Sequence, residues 1–74
     1  MKWYAIDYVS DCECELVYND QLYLTEEAAQ AACNALARPD YFEVNWYQLG
    51  DLAEIYNTDN FEITDDLRVV AYYE

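Results

Sequence analysis

Between Thr25 and Arg38 the chain reads Thr-Glu-Glu-Ala-Ala-Gln-Ala-Ala-Cys-Asn-Ala-Leu-Ala-Arg. On a helical wheel Ala28, Ala29, Ala32, Cys33, Ala35 and Leu36 make one apolar side, while Glu27, Gln30, Asn34 and Arg38 make the other. Alanine has the highest helix propensity, so the pattern predicts a helix over 25–38 that Pro39 stops. Thr25 serves as its N-cap, Glu26 and Glu27 lie against the positive end of the helix dipole, and Arg38 sits at the negative end. Because the apolar side consists of small side chains, this helix can approach a broad surface such as a sheet closely. Larger residues must then fill the volume elsewhere.

The rest of the chain supplies them in alternating patterns. Lys2 to Val9 is rich in aromatic and β-branched residues and predicts a strand with Tyr4, Ile6 and Tyr8 on one face and Trp3, Ala5, Asp7 and Val9 on the other. Ser10-Asp11 reads as a turn, and Cys12 to Tyr18 as a second strand in a hairpin with the first. Asn19-Asp20 marks another turn, after which Gln21 to Leu24 is either a short strand or an extended lead-in whose Leu24 packs on the first helical turn. Tyr41 to Gln48 alternates again, with Phe42, Val44 and Trp46 opposite Tyr41, Glu43, Asn45 and Tyr47. Gly50-Asp51 offers an N-cap to a short second helix in which Leu52, Ile55 and Tyr56 share a face. Phe61 and Ile63 alternate around Glu62, Thr64-Asp65-Asp66 turns, and Leu67 to Tyr73 predicts a final strand. Strands joined mostly by short turns, with one strongly amphipathic helix, imply an α+β class: a small antiparallel sheet covered on one face by the alanine-rich helix. No repeat or linker divides the chain, so residues 1–74 are expected to form a single domain.

Composition sharpens the picture in two ways. An apolar fraction of 55%, with nine tyrosines among 18% aromatic residues, argues against disorder and supplies the large buried areas so short a chain needs. Against this stand sixteen acidic side chains and only three basic ones, a formal charge of −13. Such a charge repels nucleic acid and anionic membranes and steers the chain towards a basic protein surface. No charged leader followed by an apolar run is present, and no run approaches the ~18 apolar residues of a membrane span, so a cytoplasmic location is expected. Cys12 and Cys14 are too close for an ordinary stabilising loop and Cys33 is left over, so no disulfide framework is expected and the chain should be a monomer held by its core.

Catalytic chemistry is sparse. Histidine is absent, Ser10 is the only serine and Gly50 the only glycine, which removes histidine triads and glycine-rich phosphate loops. Cys12, Cys14 and Cys33 provide soft metal ligands but lack a fourth partner and the usual spacings. Paired carboxylates need a cleft to act as acid and base, and a domain this small has little room for one. The expectation is a non-enzyme without metal or cofactor.

The placement of the acids carries more information. On an extended strand Asp11, Glu13 and Glu15 share one face at intervals of about 6.6 Å, two steps of the ~3.4 Å rise of one DNA strand, so the row can imitate phosphates. Asp51 and Glu54 share a helical face, and Asp59, Glu62, Asp65 and Asp66 gather around the last turn, with Asp20, Asp40 and Glu43 near other connections. A solvated, solubility-giving surface is the plainer reading, but such surfaces normally intersperse lysines, which are nearly missing here.

In this character the whole chain resembles the small acidic anti-CRISPR proteins of bacteriophages and mobile elements: an aromatic-rich α+β domain with acidic runs such as Asp11-Cys-Glu-Cys-Glu15 and Asp59-Asn-Phe-Glu-Ile-Thr-Asp-Asp66. It is most similar to those directed at type I multi-subunit surveillance complexes, type I-C among them. The resemblance implies binding to a nucleic-acid-contacting Cas subunit and exclusion of target DNA. It rests on overall character rather than on a motif, so no residue role transfers from it. The partner-binding candidates Asp11, Glu13, Glu15, Asp51, Glu54, Asp59, Glu62, Asp65 and Asp66 come from charge placement alone. A general acidic interaction or regulatory module with another basic partner is the alternative.

Overall fold

Trp3–Tyr8 forms the central strand, β1, as its aromatic and branched residues favour. In the computed structural model, which describes residues 2–9 and 17–73, β1 lies between β2 (Leu22–Tyr23) and β3 (Phe42–Tyr47), antiparallel to both. Register sorts the side chains into two faces. Tyr4 lies opposite Trp46, Ile6 opposite Val44 and Tyr8 opposite Phe42; on the other face Trp3 pairs with Tyr47, Ala5 with Asn45 and Asp7 with Glu43. The alternation predicted for both strands is therefore the one observed. The segment predicted as a second strand in a hairpin with the first lies mostly outside the described residues. Its last residue, Tyr18, opens a 3₁₀ turn over Tyr18–Asp20 instead of continuing a strand. Asn19 and Asp20 adopt φ values of 59° and 55°, a region that tolerates Asn and Asp better than most side chains. The stretch after this turn is a strand, and Leu24 is exposed rather than packed on the helix.

The alanine-rich helix, α1 (Glu26–Asn34), packs across β3, β1 and β2. The Thr25 hydroxyl accepts the Ala28 N–H at 3.1 Å, so the predicted N-cap is present. Its far end falls short of prediction. The Ala35 and Leu36 N–H groups bond to Ala32 and Cys33, three residues back, and this tighter turn closes the helix. Pro39 also disfavours helical backbone at Arg38, which is at φ −134°, ψ 72°. Arg38 consequently serves the next turn, donating to the Tyr41 hydroxyl at 2.7 Å, rather than the helix dipole. Of the predicted apolar side, Ala29 and Cys33 are buried, whereas Ala28 and Ala35 face solvent. Small residues at the two buried positions bring the helix close to the sheet, and the neighbouring volume is filled by rings: Tyr8 and Phe42 lie 4.7 Å apart and Tyr18 meets Phe42 edge-on at 5.0 Å.

The second face is covered as well. Helix α2 (Leu49–Tyr56) and the hairpin of β4 (Phe61–Ile63) and β5 (Val69–Ala71) enclose Ala5, Val17, Leu22, Leu52 and Val69, with Trp3, Tyr47, Ile55, Tyr56, Phe61, Ile63 and Leu67 around them. Burial on both sides explains why Ala5 and Ile6, adjacent in sequence, are both inaccessible. α2 begins earlier than the Gly50-Asp51 cap implied. Gln48 is the N-cap, and Asp51, three residues inside, accepts the Gln48 N–H at 2.8 Å. The final strand is shorter than predicted because Leu67, at φ 62°, turns the chain before it. The fold is a small α+β arrangement of antiparallel strands and two helices.

Candidate functional site

The carboxylates that define the candidate surface are held by three local devices. On α2, Asp51 is oriented by its capping bond to Gln48, and Glu54 follows one turn later on the same side. Together with Trp46, Tyr47 and Ile55 they line an open hollow of about 480 Å³ where β3 runs into α2. Trp46 is 53% exposed although it lies in a strand, and the Lys2 ammonium sits 4.8 Å from its ring centroid.

At the tip of the second hairpin, Asp65 and Asp66 occupy a turn clamped from several sides. The Leu67 N–H bonds to Thr64 O at 2.8 Å, the Thr64 N–H to Arg68 O at 2.9 Å, and the Gln21 amide donates to Asp66 O at 2.8 Å. Asp66 borders a depression that also holds Asp20 and Arg68. Arg68 donates to the Asn19 carbonyl at 3.3 Å.

At the open end of that hairpin, the Tyr72 N–H bonds to Asn60 O at 2.8 Å, and Asp59 stands beside Tyr72 and Tyr73. Glu62, paired with Val70 in mid-strand, accepts the Tyr72 hydroxyl at 2.8 Å. The four acids expected to gather around the last turn are thus spread along the hairpin. Asp65 and Asp66 are at its tip, Glu62 is on its outer face, and Asp59 is at the opposite end. The reason is the strand pairing between them, which extends the chain where a compact loop would have brought the acids together. Asp51, Glu54, Asp59, Glu62, Asp65 and Asp66 are all exposed. Asp11, Glu13 and Glu15 lie outside the described residues.

Three carboxylates are paired with tyrosines. Tyr47 donates to Asp7, Tyr56 to Asp20 at 2.9 Å and Tyr72 to Glu62. The basic side chains are engaged differently: Lys2 on the Trp46 ring, Arg38 on the ring and hydroxyl of Tyr41, and Arg68 on a carbonyl. Burial foremost, with the bond to Asp20 and its charge, pushes the Tyr56 hydroxyl well above its ordinary range. Tyr72 is raised mainly by its bond to Glu62. Both phenols therefore keep their protons and remain donors.

Asp7 was missed by sequence reasoning. It was placed on a strand face, but its 5% exposure makes it the one buried carboxylate among the described residues. One oxygen accepts from Tyr47 and, at 2.8 Å, from Asn45; the other is buried without a hydrogen-bond partner among the described residues. Burial raises its pKa, opposed by the bonds from Tyr47 and Asn45 and reinforced by Glu43. A polar residue in an otherwise apolar face of a strand was the available signal.

Among the described residues no group of three or more Cys, Asp or Glu is arranged to hold a metal ion, and Cys33 is a buried free thiol 4.0 Å from Pro39 O. Among the same residues no helix is long and apolar enough to cross a membrane. Comparison of the chain with protein-family models, characterised proteins and solved structures finds no match in any of the three.

Proposed function

We propose that this chain is an inhibitor of the anti-CRISPR kind, which occupies a basic, DNA-contacting surface of a type I surveillance complex and keeps target DNA out by presenting carboxylates in place of phosphates. One observation carries the reading: the chain has a net charge of −13, and every described acid except Asp7 is exposed, on a folded scaffold whose few cations are engaged by aromatic rings and a carbonyl. A lysine- and arginine-lined groove is the surface such a field attracts. The protein acts by occupancy and not by catalysis, as a monomer in the cytoplasm of a bacterial host, and makes no contact with nucleic acid or membrane itself.

A gel-shift of surveillance complex on target DNA, with and without the protein, tests this, alongside phage plaquing on a CRISPR-active host. Target binding should fall as the protein is added, and the effect should weaken as salt rises. Single rim charges change binding little, so paired reversals are the informative variants: Glu13→Lys with Glu15→Lys, or Asp65→Lys with Asp66→Lys. At least one pair should abolish inhibition while the fold is retained. Full target binding and unchanged plaquing at saturating protein across the type I subtypes would refute the proposal and favour a general acidic module with another basic partner.

A further inference from the structure

The hollow at the junction of β3 and α2 combines features that the acidic surface as a whole does not. It is lined by Trp46, Tyr47 and Ile55 together with the carboxylate residues Asp51 and Glu54. The Tyr47 hydroxyl is engaged by Asp7 inside the sheet, so Tyr47 contributes ring surface to the hollow. Asp51 is fixed by its capping bond, and Glu54 lies on the same side of α2. We propose that this hollow is the anchoring point for a single arginine side chain presented by a basic protein partner. The guanidinium would stack on the exposed Trp46 ring, displacing the Lys2 ammonium that sits 4.8 Å from its centroid, with Asp51 and Glu54 accepting from its edge.

Three observations support that occupant. The chain already places cations on its rings, Lys2 over Trp46 at 4.8 Å and Arg38 over Tyr41 at 5.3 Å, so these π-faces are accessible to a cation in this very fold. The rim charge is negative and belongs to a chain at −13, which disfavours an anionic or second-copy occupant. The lining combines two aromatic residues and an isoleucine with two carboxylates, which suits a planar, forked guanidinium better than the compact, strongly hydrated ammonium of lysine. The inference deepens the proposed reading of a basic partner by naming the residue type that partner must present and the place where it binds.

The test needs no partner. ¹⁵N-labelled protein is titrated with a short Arg-Gly peptide, with the same peptide carrying citrulline, which is nearly isosteric but neutral, and with a Lys-Gly peptide. The Trp46 indole N–H and the Glu54 and Ile55 amides should shift with the arginine peptide. Affinity should be about fivefold lower for Glu54→Gln and for the lysine peptide, and at least about tenfold lower for citrulline. Trp46→Ala, at an exposed position, should remove the localised shifts. Equal binding of the citrulline peptide would overturn the proposal, as would shifts spread over Asp59, Asp65 and Asp66 with Trp46 unmoved; both comparisons can be made on the unmutated protein. If the hollow fails this titration while the surveillance complex is still inhibited, the arginine anchor is wrong and the inhibitor reading stands. Localised arginine binding without inhibition would instead uphold the anchor and remove the inhibitor reading.

Discussion

Tyr47→Phe removes one hydroxyl and should destabilise the protein by more than a neutral hydrogen bond would. The hydroxyl donates to Asp7, which is 5% exposed, shares its bonded oxygen with Asn45 and leaves the other oxygen unpartnered among the described residues. A hydrogen bond to a charged group contributes about 1.5–3 kcal/mol, against roughly 0.5–1.5 kcal/mol for a neutral pair. Where Asp7 is ionised, the larger range applies. Because urea m-values of small domains are of the order of 1–3 kcal/mol per molar, the unfolding midpoint should fall by about 0.5–3 M.

The pH dependence has a definite sign. Burial holds the Asp7 pKa above its unfolded value, so the folded chain binds this proton more tightly. The residue's contribution to stability is therefore full below the ordinary carboxylate range and is lost as pH rises through its raised value. The Tyr47→Phe change would remove a bond that favours the ionised form, raise that value further, and deepen the loss at neutral pH. In acid, where Asp7 is protonated in both proteins, only the smaller neutral-bond cost remains. Urea unfolding followed by circular dichroism, from pH 7 down through the acid range, measures both quantities. On an Asp7→Asn background the same Tyr47→Phe change should cost only about 1 kcal/mol. A penalty that is unmeasurable at pH 7, or the same throughout the acid range and on the Asp7→Asn background, would refute the claim that this hydroxyl serves a buried charge.

Three further outcomes are expected. Added monovalent salt should raise the thermal midpoint over the moderate range, since screening weakens repulsion among sixteen acids while the described cations lie on rings and carbonyls; a steady fall with salt would mean that specific ion pairs dominate. Thr25→Ala should cost about 1 kcal/mol in chemical unfolding, because it leaves the Ala28 N–H without its cap, and no loss would place the helix start elsewhere. Reductant and chelator should leave cooperative unfolding unchanged; its abolition by either would make the cysteines structural.

Local pattern was legible wherever one physical rule dominated. The period-two runs in β1 and β3 assign every described side chain of those strands to its observed face, and Thr25 caps α1 as its residue type implies. Errors cluster at element ends, where competing rules meet. Alanine propensity alone carries α1 to Arg38, but the residue before a proline resists helical backbone and Arg38 has a tyrosine to serve. At α2, Asp51 looks like an N-cap from its type, yet an acid at the third helical position can reach back to cap Gln48 equally well. Coverage of the second sheet face was hidden because it depends on where the β4–β5 hairpin docks, and the Gln21–Arg68 bridge that docks it joins residues far apart in sequence.

The candidate surface shows a deeper limit. Counting acids locates charge along the chain, but two further properties decide what a carboxylate can do: which face of a strand it occupies and which donor is nearby. Glu62 and Asp59 lie three residues apart, and β-pairing sends one to mid-strand and the other to the hairpin's open end. Asp7 sits in a run that reads as core, and only Asn45 and Tyr47, thirty-eight and forty residues away, make its burial tolerable. The tyrosines link these facts. In a chain with three basic residues, phenol hydroxyls provide neutral donors to Asp7, Asp20 and Glu62, so carboxylates are held in place without their charge being neutralised. A surface built with lysine or arginine pairs would have had equally fixed carboxylates but a much weaker negative field. At the exposed Asp20 and Glu62, tyrosine donors preserve both order and charge, the combination that the proposed basic partner would require.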